Sequence, residues 1–180
     1  NGTQLRTGTG DKAIIIYSGT GNGGNRVLIN ENTILEVQAE ITTPGGKPNV
    51  ERTRLMAGEI FSQIKKGNKY EVETPSSVAS VRGTQFDALF KDDKATFIGM
   101  EGLIEVMNQL GQVVIGQYQM TDVQTGSAPG TAQDLARKEA EKLVKWTGDV
   151  EPTWRLNIIP ENGNDHPVGT GFILSITAEK

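Results

Sequence analysis

Short runs of β-branched and aromatic residues, each closed off by glycine, asparagine, aspartate or lysine, recur along most of this chain, and that rhythm constrains its fold more than any other feature. Ala13–Tyr17 reads Ala-Ile-Ile-Ile-Tyr between two glycine-rich stretches, and it is too short and too β-branched for anything but a strand. Arg26–Ile29 and Thr33–Ile41 follow with partial alternation, which sets Val27 and Ile29, then Leu35, Val37 and Ala39, on one side. Further strands are predicted at Thr53–Met56, Glu59–Lys65, Tyr70–Thr74, Ser77–Val81, Gln85–Phe90, Ala95–Met100, Leu103–Asn108 and Gln112–Tyr118. Between residues 13 and 118 this spacing leaves no room for a helix longer than a turn or two. Glycine makes up 22 of the 180 residues, about 12% against a usual share of roughly 7%, and most of it falls between strands as turns.

The period changes after Thr125–Gly130. Thr131-Ala-Gln-Asp134 reads as a capping box, and Ala132, Leu135, Ala136, Ala140, Leu143 and Val144 fall on one helical face, with Gly148 as the stop. Trp154–Ile159 and Gly171–Ile176 return to strand character, joined by the polar loop 160–169, with Phe172, Leu174 and Ile176 expected toward the core. The expected architecture is all-β, a sandwich or solenoid-like stack of short strands, plus one C-terminal helix and a closing hairpin. The expected division is 1–124 for the β domain and 125–180 for an extension packed on it.

The β region carries an internal repeat. Arg26–Val37 aligns without gaps on Ala95–Val106, matching Ile29 to Ile98 and Glu36-Val37 to Glu105-Val106. An arginine and an apolar strand precede each copy: Arg6 with Ala13–Tyr17, and Arg82 with Phe86–Phe90. Two similar β units packed together would produce such a pattern.

Charge and composition exclude several functions. The formal net charge is −4 with lysine and arginine scattered, so there is no basic stripe for a nucleic acid to follow. No cysteine is present, which removes disulfides, thiol catalysis and cysteine-based zinc sites. No apolar run approaches the ~18 residues that a membrane span needs, and no leader is evident. The chain opens at Asn1 rather than methionine, as a processed protein would.

The most specific feature is Tyr70-Glu-Val-Glu-Thr-Pro-Ser-Ser-Val-Ala-Ser-Val-Arg-Gly-Thr-Gln-Phe-Asp87. It resembles the signature of the FecR domain family, in which a strand leads to Thr-Pro, a small residue and Val, then Val-Arg-Gly-Thr and an aromatic. The flanks agree: Arg6-Thr-Gly, Asn32-Thr33 before Leu35 and Val37, Leu55 with Ala57-Gly58-Glu59, and Glu101-Gly102 before Ile104 and Val106. The resemblance covers about residues 5–120 and implies a mostly β domain of the bacterial periplasm or exterior. Its best-known members are inner-membrane regulators that relay a signal from an outer-membrane transporter to a sigma factor, and many others are exported. This chain departs from the regulators in showing no membrane helix and in the character of residues 131–180. On its own physics, Thr74-Pro75 enforces an extended backbone, Gly83 permits a conformation that a Cβ would block, and Arg82 offers a planar fork to a carboxylate or carbonyl.

Catalytic signals are weak. Gly19-Thr-Gly-Asn-Gly-Gly24 fits G-x-G-x-x-G after a strand, but another strand follows where a dinucleotide site needs a helix. His166 is the sole histidine and has no cysteine or second histidine to join it. Asp11, Glu31, Asp92 and Asp93 occupy predicted turns, where acids are ordinary, and Trp146 and Trp154 bracket the helix end as packing residues. No enzyme activity, cofactor or metal is expected. The expected function is an exported binding or signalling module with a protein partner, with Arg82, Asn22, Asn25 and Trp154 as candidate contacts. A carbohydrate or cell-wall binding module is the alternative, and a carboxylate-based hydrolase a remote one. A groove of exposed aromatics would favour sugar, and converging carboxylates hydrolysis. A flat apolar patch or an open sheet edge would favour protein.

Overall fold

The computed structural model describes residues 3–17, 25–38 and 50–149, together with the backbone of two C-terminal strands, 154–160 and 172–178. Fifteen strands are described: β1 (Thr3–Arg6), β2 (Ala13–Tyr17), β3 (Asn25–Ile29), β4 (Ile34–Gln38), β5 (Glu51–Gln63), β6 (Lys69–Glu73), β7 (Val78–Arg82), β8 (Gln85–Lys91), β9 (Lys94–Glu101), β10 (Ile104–Asn108), β11 (Gly111–Ile115), β12 (Gln119–Gln124), β13 (Gln133–Asp134), β14 (Trp154–Pro160) and β15 (Phe172–Ala178). Among the described residues between 13 and 118 there is no helix, and the chain is all-β as its spacing demands.

The strands form one curled sheet that folds over on itself through β5. The N-terminal half of β5 lies in what we call the exposed sheet, ordered β1-β4-β5-β6-β7-β10-β11. Its C-terminal half lies in the capped sheet, ordered β15-β14-β2-β3-β5-β8-β9-β12-β13. The sequence pattern divided β5 in two, at 53–56 and 59–65. The strand instead runs through, and the break at Gly58 (φ +92°) is the bend that carries it from one sheet to the other. A Cβ at Gly58 would stand 2.5 Å from the Thr33 Cα, so only glycine allows that bend.

Inward residues from both sheets meet in one core: Ile15, Val27, Ile29, Leu35, Leu55, Ile60, Tyr70, Phe86, Phe97, Ile104 and Ile115 among others. It contains a polar group. The hydroxyls of Tyr17 and Tyr70 each lie 2.7 Å from Thr53 Oγ1, with all three residues buried. Burial pushes both phenol pKa values upward, so the hydroxyls stay protonated.

The repeat is visible in the pairing. In the first unit β1 pairs β4 and β2 pairs β3, and β5 then pairs β4 in one sheet and β3 in the other. In the second, β7 pairs β10 and β8 pairs β9, while β11 and β12 pair β10 and β9 in the same two sheets. The gapless alignment holds for β4 and β10, where Leu35 and Ile104, then Val37 and Val106, all enter the core. It is one residue out in β3 and β9. Ile29 faces the core, but its aligned counterpart Ile98 alternates outward while Phe97 points in. A bulge between Gln85 and Phe86 accompanies that slip.

The helix is shorter than its apolar pattern predicts. Gln133–Asp134 pairs with β12 instead of capping, and α1 spans only Arg137–Leu143, with Ala136 at its N-cap and no side-chain cap. A 3₁₀ turn follows at Lys145–Asp149, so Gly148 lies inside the turn rather than ending the helix. Ala140 and Val144 are buried, whereas Ala132 and Leu143 are exposed. The segment packs Val144 and the half-buried Trp146 on Ile14, Leu28 and Phe61, covering the outer face of the capped sheet. The exposed sheet has no such cover among the described residues.

Candidate protein-interaction face

Two rows of side chains cross the outer face of the exposed sheet, and strand register sets both. Lys69 pairs with Arg82, and Leu103 lies just before Ile104, the partner of Val81. In the next row Arg52 pairs with Glu71, Glu71 with Ser80, Ser80 with Glu105 and Glu105 with Val114. Val50, Lys69, Arg82, Leu103, Glu105 and Val114 border a shallow, open depression of about 560 Å³.

At one end the face is a closed charge ladder. Arg52 reaches Glu71 Oε2 at 2.6 and 2.9 Å through two guanidinium nitrogens, and Arg54 lies 3.1 Å from Glu73. Toward β11 the ladder gives way to apolar surface, with Leu103 67% and Val114 50% exposed. Arg82 sits between the two regions. It is exposed and makes no side-chain hydrogen bond or ion pair among the described residues.

The signature around Arg82 explains how it is held. Thr74 and Ser77 bond reciprocally through backbone and hydroxyl, N to O at 2.8 Å and Ser77 N to Thr74 Oγ1 at 3.1 Å, closing the turn after the extended Thr74. Asn108 Nδ2 donates to Ser76 O at 3.1 Å and ties that turn to β10. Gly83 has φ +73°, and a Cβ there would lie 2.7 Å from Lys66 Cα. Ile64 N donates to Thr84 O at 2.9 Å, fixing the corner from the other side. Gly83 and Thr84 therefore hold the fold, while the arginine between strand and corner is left pointing to solvent.

The other candidate contacts fall elsewhere. Asn25 is fully buried: its Nδ2 donates to Glu51 at 2.6 Å, and its Oδ1 accepts from Lys65 N at 2.9 Å and Asn68 Nδ2 at 3.1 Å. It staples β3 to the β5–β6 connection and cannot serve as a surface contact. Asn22, the glycine loop around it and His166 lie outside the described residues, as does the side chain of Trp154. Sequence reasoning missed Leu103 and Val114, whose alternation with buried neighbours made them look like ordinary strand residues.

Acidic turn residues serve local structure. Asp92 and Asp93 form a two-residue hairpin turn, both at positive φ (52° and 58°), the type I′ geometry that β8 and β9 require. Glu31 accepts from Gly10 N at 2.6 Å, and Asp11 accepts from Gly8 N at 3.1 Å. Glu31, Glu59, Asp92 and Asp93 border a second depression. No cluster of His, Cys, Asp and Glu among the described residues is arranged to hold a metal ion.

The profile of the family described as FecR protein matches residues 3–105, more than half of the chain. The chain belongs to the FecR protein family. No curated protein matches it. Two crystal structures from Parabacteroides distasonis ATCC 8503, each described as a candidate anti-sigma factor, share the fold with TM-scores of 0.65. The first is 16% identical, with 82% of this chain and 65% of that one covered. The second is 15% identical, with 99% and 85% covered. The chain thus spans just under two thirds of the first. No helix among the described residues is long and apolar enough to cross a membrane.

Proposed function

We infer that this FecR-family chain is a non-catalytic signalling module of the bacterial periplasm or exterior, and that it works by docking a protein on the face around Arg82, Leu103 and Val114. One observation carries the reading. An arginine without a partner among the described residues stands beside two large, exposed apolar side chains on the outer face of a sheet. Arginine flanked by apolar surface is the composition of protein-binding centres. Sugar binding finds less support, because the large apolar side chains exposed among the described residues are Met56, Leu103, Leu110, Val114 and Leu143, with no aromatic. The structural likeness to candidate anti-sigma factors supports signalling through another protein. A photoreactive side chain placed at Leu103, and separately at Lys138 on α1, tests the reading. Crosslinking in an envelope extract should capture one defined protein from position 103 and not from 138. Equal capture from both positions would refute it.

A further inference from the structure

The two units of the repeat differ in what lies beside their fifth strand. Matching β4 to β10 places Thr53 at the position of Val113, Arg54 at that of Val114 and Arg52 at that of Gln112. In the first unit β5 is flanked on its far side by β6, running parallel, with Arg52 opposite Glu71, Thr53 opposite Val72 and Arg54 opposite Glu73. In the second unit, no strand among the described residues flanks β11 on that side, and β11 ends the exposed sheet.

This edge lacks the usual protections. Gly111-Gln-Val-Val-Ile115 contains no charge and no proline, and its pairing with β10 runs without a bulge. Asn108 donates to Ser127 O at 2.7 Å and holds the following segment beside Gly111, leaving Gln112–Ile115 as the open stretch. Val113 packs on the core while remaining partly exposed, and Val114 faces outward at 50%.

We propose that β11 is a docking edge that takes an extended strand of another protein, running parallel to it in the place that β6 holds beside β5. The side chains specify that strand. Where β5 sets Arg52 and Arg54 against two glutamates, β11 offers Gln112 and Val114, so the fitting strand is uncharged at the two outward positions. Its inward residue opposite Val113 is apolar, as Val72 is opposite Thr53. A second copy of this chain fits less well, because a twofold axis would pair β11 with itself antiparallel. The inference rests on the docking face proposed above and extends it onto the adjoining edge, where backbone hydrogen bonds would supply affinity and alternate side chains specificity.

Two synthetic peptides test it against the full chain by hydrogen exchange at those amides of 111–115 that the pairing with β10 leaves unbonded. One carries residues 67–76 of this sequence and the other the same residues with Glu71→Thr and Glu73→Thr. The threonine-substituted peptide should slow exchange at those amides, and the parent peptide should need a concentration on the order of tenfold higher, because its two carboxylates would lie against Gln112 and Val114 with no cation to pair them. A Gln112→Arg, Val114→Arg chain should reverse that preference. The inference falls if neither peptide protects the amides that face the open edge, if both proteins treat the peptides alike, or if those amides already exchange slowly in the free chain. A dimer of the free chain that protects β11 would also overturn it, by making the occupant a second copy. Crosslinking from Leu103 with an unprotected β11 would sink this inference alone. A protected β11 with no crosslink would sink the face and leave the edge.

Discussion

Gly83 packs so tightly on Lys66 that a β-carbon would stand 2.7 Å from the Lys66 Cα, and its φ of +73° is one that a branched residue resists. Arg82 beside it carries no comparable constraint. Gly83→Val is therefore expected to lower stability by about 2 kcal/mol or more, through a backbone clash and a strained φ together. Arg82→Ala should melt within about 0.5 kcal/mol of the parent, as a surface change does. Thermal melts of the two variants check this, and a Gly83→Val chain with the parent's Tm would contradict it.

Thr53 anchors two buried tyrosyl hydroxyls at once. Replacing it with valine keeps the shape but leaves both phenols short of a partner, at a cost of about 2–4 kcal/mol. Tyr70→Phe removes one of those hydroxyls and should cost only about 1 kcal/mol. Denaturant titrations should rank Thr53→Val as the more damaging change, and the opposite order would be inconsistent with the network.

Asp87 gives stability a pH dependence. It lies on the outer face of β8, diagonal to Glu59 of β5 and beside Trp146, and it is 2% exposed. Burial is the main cause that raises its pKa well above the ordinary carboxylate value, and the Glu59 charge adds to it. The nearby Trp146 N–H offsets part of the rise. The unfolded chain releases this proton near pH 4, while the folded chain keeps it to higher pH. The contribution is therefore fully favourable below about pH 4 and declines as pH climbs toward the folded pKa. Asp87→Asn should remove that decline and be the more stable chain at neutral pH. Parallel stability–pH curves for parent and variant would refute the assignment.

Much of this was legible in the sequence, for local reasons. Glycine and β-branched spacing located most strands, and Thr74-Pro75 with Val81-Arg82-Gly83-Thr84 marked the corner and its family. Three things were not legible. The bend at Gly58 joins two predicted strands into one, which depends on contact with distant Thr33. The segment 131–136 has helical spacing, yet Gln133–Asp134 pairs with β12, a tertiary pairing that overrides local propensity. Asn25 looked like part of a polar loop, but its amide satisfies groups from Glu51, Lys65 and Asn68, which only the fold brings together. The docking face was half visible: the arginine stood in the signature, whereas exposure of Leu103 and Val114 follows from the exposed sheet having no helix over it among the described residues.

The central claim, that a protein docks on the face around Arg82 and Leu103, is tested most directly by affinity. The protein crosslinked from position 103 would be purified and titrated against the parent chain and an Arg82→Ala, Leu103→Asp double variant, with melts run alongside. Loss of an interfacial arginine and an apolar anchor should weaken binding by at least about tenfold, roughly 1.4 kcal/mol, while Tm stays near the parent's. Equal affinity for the two chains at equal stability would contradict the claim.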